Sequence, residues 1–89
     1  MSSDKHMIMG VHLSDRLTEA AQVQKLFTAF GGQIKTRLGL HEIATGAPIG
    51  SRNGLILLEM VGPEQGVNDL RDQLNAIAGV EAKVMTFAH

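Results

Sequence analysis

The most constraining feature of the sequence is an apolar run between two glycines, within the stretch Asn53 to Gly62 (NGLILLEMVG). Successive side chains of a β-strand point to opposite faces, so a half-buried strand alternates apolar and polar residues. Here both faces are apolar, and Glu59 is the only charged residue. Gly54 and Gly62 bracket the run too closely for a helix. The run therefore predicts a central strand of a sheet with cover on both faces.

The flanking segments predict three more strands and two helices. Alternating patterns predict strands over residues 6–13, 33–42 and 80–88. Apolar residues at three- and four-residue spacing predict helices after Asp15 and after Pro63, and the core stripe of the first helix is predicted to be Ala20, Val23, Phe27 and Phe30. Ser14 or Asp15 can cap the first helix. Gly31-Gly32 and Gly79 are expected to end the two helices in the left-handed conformation that glycine accepts.

The element order is βαββαβ, which predicts an α+β, ferredoxin-like fold. Two right-handed crossovers place both helices on one face of a four-stranded antiparallel sheet, with the first and third strands central. Residues 1–5 show no pattern and are expected to form a flexible tail. Residues 6–89 are expected to form a single domain, because 89 residues leave no room for a second core.

Composition excludes several classes of function. The net charge of −1 and the 3% aromatic content do not suit a nucleic-acid-binding surface. No apolar segment approaches the roughly 20 residues of a membrane helix, and the first residues do not resemble a signal peptide. Without cysteine there can be no disulfide, thiolate metal site or cysteine nucleophile. Neither nucleic acid nor membrane is therefore expected as a partner of this chain, and the cytoplasm is the expected compartment.

The sheet face without helices is expected to mediate self-association. If the hairpin is symmetric about Ala47 and Pro48, Arg37 lies opposite Glu59 as a cross-strand charge pair. Covering a large apolar side chain contributes roughly 1.5–3 kcal/mol, so an apolar face in water is unfavourable. A homo-oligomer, dimer or tetramer, is therefore predicted. The predicted interface residues are Leu55, Leu57, Glu59, Val61, Met85 and Phe87.

Histidines and carboxylates raise the question of a metal site for zinc, nickel or iron. The candidate ligands are His6, His12, His41, Glu42 and Glu59. No paired ligand spacing on a helix accompanies them, so we interpret them as scattered polar residues and expect no metal and no cofactor. Asp15 lies near His12 in sequence but has no identifiable nucleophile partner, and no catalytic residue is predicted.

Four stretches carry a resemblance to a known family. They are Ser14-Asp15-Arg16, Thr36 to His41 (TRLGLH), Gly54 to Glu59 (GLILLE) and Ile77 to Val84 (IAGVEAKV). Together they resemble the small ACT-like proteins known as iron-only hydrogenase system regulators, over most of the chain from Met7 onward. The resemblance implies an ACT-type ferredoxin-like fold, oligomerisation and regulation by a small ligand. A nickel-responsive repressor is similar in having an ACT-like domain, but this chain lacks its DNA-binding arm and its cysteine ligand.

ACT domains that bind amino acids commonly carry Asp-x-x-Gly after the first strand. In this sequence Thr18 occupies the glycine position, which argues against an amino-acid pocket of that kind. If a small effector binds, it is expected at the end of the first strand and along the second strand. The predicted ligand-binding residues are His12, Ser14, Asp15, Arg16, Arg37 and His41.

Three functions remain open from the sequence. The favoured hypothesis is a non-enzymatic regulatory module that binds a small effector at or near a subunit interface. A dimeric α+β barrel-type enzyme is the first alternative, although the absence of Trp and Tyr and the Leu-rich third strand argue against a polar substrate cavity. A purely structural assembly subunit is the second.

Overall fold

The computed structural model describes residues 5–40 and 54–88. The secondary structure consists of β1 (His6–Leu13), α1 (Arg16–Ala29), β2 (Ile34–Leu40), β3 (Gly54–Met60), α2 (Glu64–Asn75) and β4 (Val80–Phe87). A 3-10 turn at Gly31–Gln33 joins α1 to β2. The strands form one antiparallel sheet in the order β2-β3-β1-β4, so the predicted ferredoxin-like fold with β1 and β3 at its centre is confirmed. His41 and the predicted loop between β2 and β3 lie outside the described residues.

The hydrophobic core lies between the sheet and the two helices. Every second residue of β1 is buried, and Met9 pairs with the buried Leu58 of β3. The predicted stripe of α1 contributes Val23 and Phe27. The remaining core residues come from β1, β3, β4 and α2: Met7, Val11, Leu13, Met60, Val67, Leu70, Leu74, Val80 and Ala82. Among the described residues, no helix is long and apolar enough to cross a membrane.

A one-residue register shift in β2 decides which side of the sheet its residues face. Ile34 pairs with Met60, but Thr36 pairs with Glu59, so the intervening Lys35 forms an irregularity in the ladder. An extra residue in one strand reverses the facing of every residue beyond it. The predicted pairing of Arg37 with Glu59 is therefore wrong. Thr36 lies opposite Glu59 and donates a hydrogen bond to its Oε1 at 2.9 Å.

The N-terminus of α1 is tied to the turn that precedes β4. Asp15, one of the two predicted candidates, is the N-cap, and its Oδ1 accepts a hydrogen bond from the Leu17 N–H at 3.1 Å. The buried Glu19 carboxylate accepts bonds from the Ser14 hydroxyl at 2.8 Å and from the Asp15 N–H at 3.2 Å. The Ser14 N–H in turn donates to the Gly79 carbonyl at 2.9 Å. These bonds hold the entry of α1 beside the start of β4.

The glycines that follow the two helices behave differently. Gly79 has φ +85°, as predicted for a left-handed turn, although α2 already ends at Asn75. The same prediction is wrong for Gly31 and Gly32, because neither has a positive φ. They form the 3-10 turn instead, closed by a bond from the Gln33 N–H to the Phe30 carbonyl at 2.9 Å.

We expect Gly79→Ala to destabilise the protein by about 1–3 kcal/mol, because a non-glycine residue is strained in this conformation. The added Cβ would also overlap the Glu19 carboxylate and the Ser14 hydroxyl, so the connection between α1 and β4 would have to move. Urea unfolding of the wild type and the variant measures the loss.

Gly32→Ala is the matched control. No atom lies within 4 Å of the position that its Cβ would take, and its φ is not positive. Its free energy of unfolding should stay within about 1 kcal/mol of the wild type. Equal destabilisation by the two substitutions would contradict the specific role of Gly79.

Candidate functional site

A cleft of about 500 Å³ opens between α1 and the ends of β2 and β3, on the side of the sheet that carries the helices. A volume of this size falls within the range of small-molecule sites. The lining residues are Leu13, Arg16, Ala20, Ala21, Val23, Gln24, Phe27, Arg37, Gly39, Gly54, Leu55 and Ile56.

The cleft is open because small residues line it on both sides. Ala20 and Ala21 of α1 present only methyl groups. Gly39 of β2 has nothing within 4 Å of the position that a Cβ would take. A Cβ on Gly54 would meet the Arg16 Cβ at 3.5 Å, an ordinary contact. A helix therefore passes over the sheet here without filling the space beneath it.

Arg37 reaches this cleft because of the register shift in β2. Its side chain donates a hydrogen bond from Nη2 to the Gln24 Oε1 at 2.6 Å. Its guanidinium carbon lies 4.9 Å from the centre of the Phe27 ring, within the range of a cation–π contact. Phe27 is buried in the core, so it gives the guanidinium a fixed support.

The charged groups of the described lining are two guanidinium groups. Two arginines line the cleft, and none of its described lining residues is an Asp, Glu, His, Lys, Ser, Thr, Cys or Tyr. Arginine stays protonated and cannot exchange a proton with a substrate. Among these residues there is thus no nucleophile and no general acid or base. Guanidinium groups do suit the recognition of carboxylates and phosphates.

The predicted ligand-binding residues do not form one cluster. Arg16 and Arg37 both line the cleft. Ser14 and Asp15 belong to the hydrogen-bonded N-terminus of α1. His12 is exposed on the other face of the sheet, where it pairs with Leu55 of β3 and Glu81 of β4, and His41 lies outside the described residues.

Sequence reasoning missed two residues that position Arg37. The apolar spacing of α1 predicts Phe27 as a core residue only, and it gives Gln24 no role. Their three-residue spacing places them on the same face of the helix. That spacing is the only sequence signal for the pair, and it is shared by many residues of an ordinary amphipathic helix.

The helix-free face carries an apolar band that crosses the sheet diagonally. The band comprises Met85 and Phe87 on β4, Ile8 on β1, Leu57 on β3 and Leu38 on β2. Leu38, Met85 and Phe87 are each at least half exposed, at 52%, 58% and 51%.

Five of the predicted interface residues lie on this face, namely Leu55, Leu57, Glu59, Met85 and Phe87, and Val61 is exposed just beyond the end of β3. The structure adds Ile8 and Leu38 to the set. Leu38 faces this way because of the same register shift that turns Arg37 towards α1.

Charged residues flank the band on both sides. Glu59 lies on one side, next to Thr36. Lys83 lies on the other, where its Nζ is 3.6 Å from the Glu81 Oε2. No cluster of three or more potential metal ligands occurs within residues 5–40 and 54–88.

Comparison with known proteins supports the fold. An uncharacterized protein from Thermotoga maritima superposes with a TM-score of 0.78 at 22% identity, over 94% of this chain and 99% of that one. CPII, a nitrogen regulatory PII-like protein from Thiomonas intermedia K12 bound to ADP, AMP and bicarbonate, superposes with a TM-score of 0.60 at 13% identity, over 96% and 94% of the two chains. At such low identities the likeness establishes the fold alone. The sequence matches no protein-family model and none of the curated proteins.

Proposed function

We propose that this chain is a non-enzymatic regulatory module that binds a small effector in the cleft and pairs with a second copy through the helix-free face. The observation that carries the proposal is the lining of the cleft. It combines two guanidinium groups and apolar walls, and none of its described lining residues could act as a nucleophile, acid or base. Such a site can hold a ligand and release it unchanged.

The structural neighbours are consistent with this function. CPII shares the fold, is named a nitrogen regulatory protein, and was observed with ADP, AMP and bicarbonate. The fold is therefore compatible with regulation by small anionic ligands. The resemblance to hydrogenase system regulators points to the same class of function.

Each alternative function conflicts with a feature of the structure. A dimeric α+β barrel enzyme would enclose its substrate between two helix-free faces, but an apolar band crosses that face from β4 to β2. A purely structural subunit would have no use for a cleft of about 500 Å³ beside two arginines.

The charges beside the apolar band favour a second copy as its occupant. Two copies could pack through their helix-free faces about a two-fold axis that runs along the band, in the plane between the faces. This axis would place the two bands against each other, and each side of one band would face the opposite side of the other. Glu59 lies on one side and Lys83 on the other, so each copy would place Glu59 near the other's Lys83. Large apolar side chains would be covered, and opposite charges would meet at the rim.

The site in the cleft is tested by filling it. Gly39→Leu adds an apolar side chain in open space on β2. A mixed set of small acids, amines, amides and nucleosides should perturb the backbone amide signals of Ala20, Gly39 and Gly54 in the wild type. The same set should leave a folded Gly39→Leu variant unperturbed at this site. Gly32→Leu, outside the cleft, is the control and should bind like the wild type.

Perturbations that map to the helix-free face instead of the cleft would contradict this site. So would equal binding by the wild type and the Gly39→Leu variant.

The dimer is tested by exchanging charges. Glu59→Lys and Lys83→Glu should each weaken self-association by about tenfold, because like charges would then meet across the interface. The double variant should recover most of the loss. Sedimentation equilibrium measures all four proteins, and Lys25→Glu on α1 serves as a control that should leave association unchanged.

A wild type that stays monomeric at micromolar concentration would refute the proposed dimer. Additive losses in the double variant would refute the contact between Glu59 and Lys83.

A further inference from the structure

We infer that the second half of β4, residues 84–87, pairs with the same half of β4 in a second copy, so that two sheets join edge to edge. This contact goes beyond the proposed function, because it uses the edge of the sheet and neither the cleft nor the helix-free face. Together with the proposed pairing of helix-free faces, it builds a tetramer.

The direction of the backbone groups of β4 follows from three hydrogen bonds. The Val80 N–H donates to the Ile77 carbonyl at 3.1 Å. The Ala82 N–H donates to the Asn75 Oδ1 at 2.8 Å, and the Ala82 carbonyl accepts from the Asn75 Nδ2 at 3.1 Å. Val80 and Ala82 therefore turn their backbone groups away from β1, and the Asn75 side chain takes the place of a neighbouring strand at Ala82.

The outward backbone groups change from covered to free halfway along β4. Successive residues of a strand alternate in direction, and the pairing of β4 with β1 has no irregularity, so Val84 and Thr86 also turn outward. β4 is an edge strand of the sheet. Among the described residues, none forms a hydrogen bond with the outward groups of Val84 or Thr86. Such an unpaired edge is a template for another strand.

The helices leave this half of the edge open. Val80 and Ala82 are buried on the side of the sheet that carries the helices. Further along the same side, Val84 is only half-buried and Thr86 is exposed. The cover supplied by α2 therefore ends where the free backbone groups begin, and another strand has room to approach there.

The side chains of this half match those of an antiparallel copy. Met85 and Phe87 flank Thr86, and both lie on the helix-free face with more than half of their surface exposed. When Thr86 lies opposite Thr86 of the second copy, each Met85 lies opposite the other copy's Phe87. Contacts between methionine sulfur and an aromatic ring are favourable, and the pairing covers apolar surface of both residues.

Continuity of the apolar band supports a second copy as the occupant. The band reaches the edge of the sheet at Met85 and Phe87. A two-fold axis perpendicular to the sheet at Thr86 makes the band of the second copy continue that of the first. The helices of both copies then lie on the same side, so the enlarged helix-free face stays available for the face-to-face pairing proposed above.

The test removes an outward N–H from the open half of β4. Thr86→Pro leaves the ladder with β1 intact, since proline is tolerated where the N–H of an edge strand faces solvent. Met85 is in a strand, as a residue before proline prefers. Sedimentation equilibrium of the full chain should show a wild-type tetramer and a Thr86→Pro dimer, with the edge contact weakened about tenfold or more. Thr86→Val keeps the N–H and the β-branched shape, so this matched control should assemble like the wild type.

Amide hydrogen exchange gives a second measurement that needs no variant. The outward N–H groups of Val84 and Thr86 should be protected in the assembled wild type. In Thr86→Pro the Val84 N–H should exchange faster, whereas the N–H groups of Lys83 and Met85, which face β1, should stay protected and show that the variant is folded. Rapid exchange at Val84 and Thr86 in the assembled wild type would overturn the inference.

The two contacts fail separately. A wild-type dimer that Glu59→Lys dissociates and Thr86→Pro leaves unchanged would overturn the edge contact and support the pairing of helix-free faces. Dissociation by Thr86→Pro with no effect of Glu59→Lys would support the edge contact and refute the proposed charge contact. Equal weakening by Thr86→Pro and Thr86→Val would show a side-chain effect and would also overturn the backbone pairing.

Discussion

The antiparallel pairing of β1 with β3 is the constraint on which the rest of the structure depends. One face of each strand is packed under the helices, where Met9 and Leu58 are completely buried. Each such side chain contributes roughly 1.5–3 kcal/mol on burial, so the pair must occupy the centre of the sheet. Both crossover helices then have to lie over it, and β2 and β4 become the edges.

The register shift at Lys35 has the largest consequence for function. Without it, Arg37 would face away from the helices and Leu38 towards them. With it, Arg37 lies on the Phe27 ring beside Gln24, and Leu38 extends the apolar band on the opposite face. A single extra residue in an edge strand therefore shapes both surfaces. It supplies the cleft with its second cation and removes a charge from the face proposed to pair with another copy.

The parts of the structure that follow from local patterns could be predicted from the sequence. The bounds of β1 follow from an alternation that only Ile8 interrupts, the cap of α1 from the two candidates Ser14 and Asp15, and the central position of β3 from an apolar run with no polar face. The side of the sheet on which Arg37 lies could not be predicted. It depends on pairing between distant residues, and alternation within β2 does not reveal the shift at Lys35.

The candidate site was predicted only in part for a related reason. Arg16 and Arg37 were named, but the cleft that brings them together exists because Gly39 and Ala20 leave space where α1 crosses the sheet. Empty volume is a property of packed elements and has no signal in the order of residues. Gln24 illustrates the same limit, since its role is defined by the nearby guanidinium and not by its place on the helix.

The most direct test of this account is the position of the Arg37 side chain in solution. Nuclear Overhauser effects should connect its δ protons with the Phe27 ring, and the ring should shift those protons upfield, because the guanidinium lies 4.9 Å from the ring centre. Effects that connect Arg37 with Leu57 or Glu59 instead, with none to Phe27, would contradict the register of β2 and with it the two-arginine cleft.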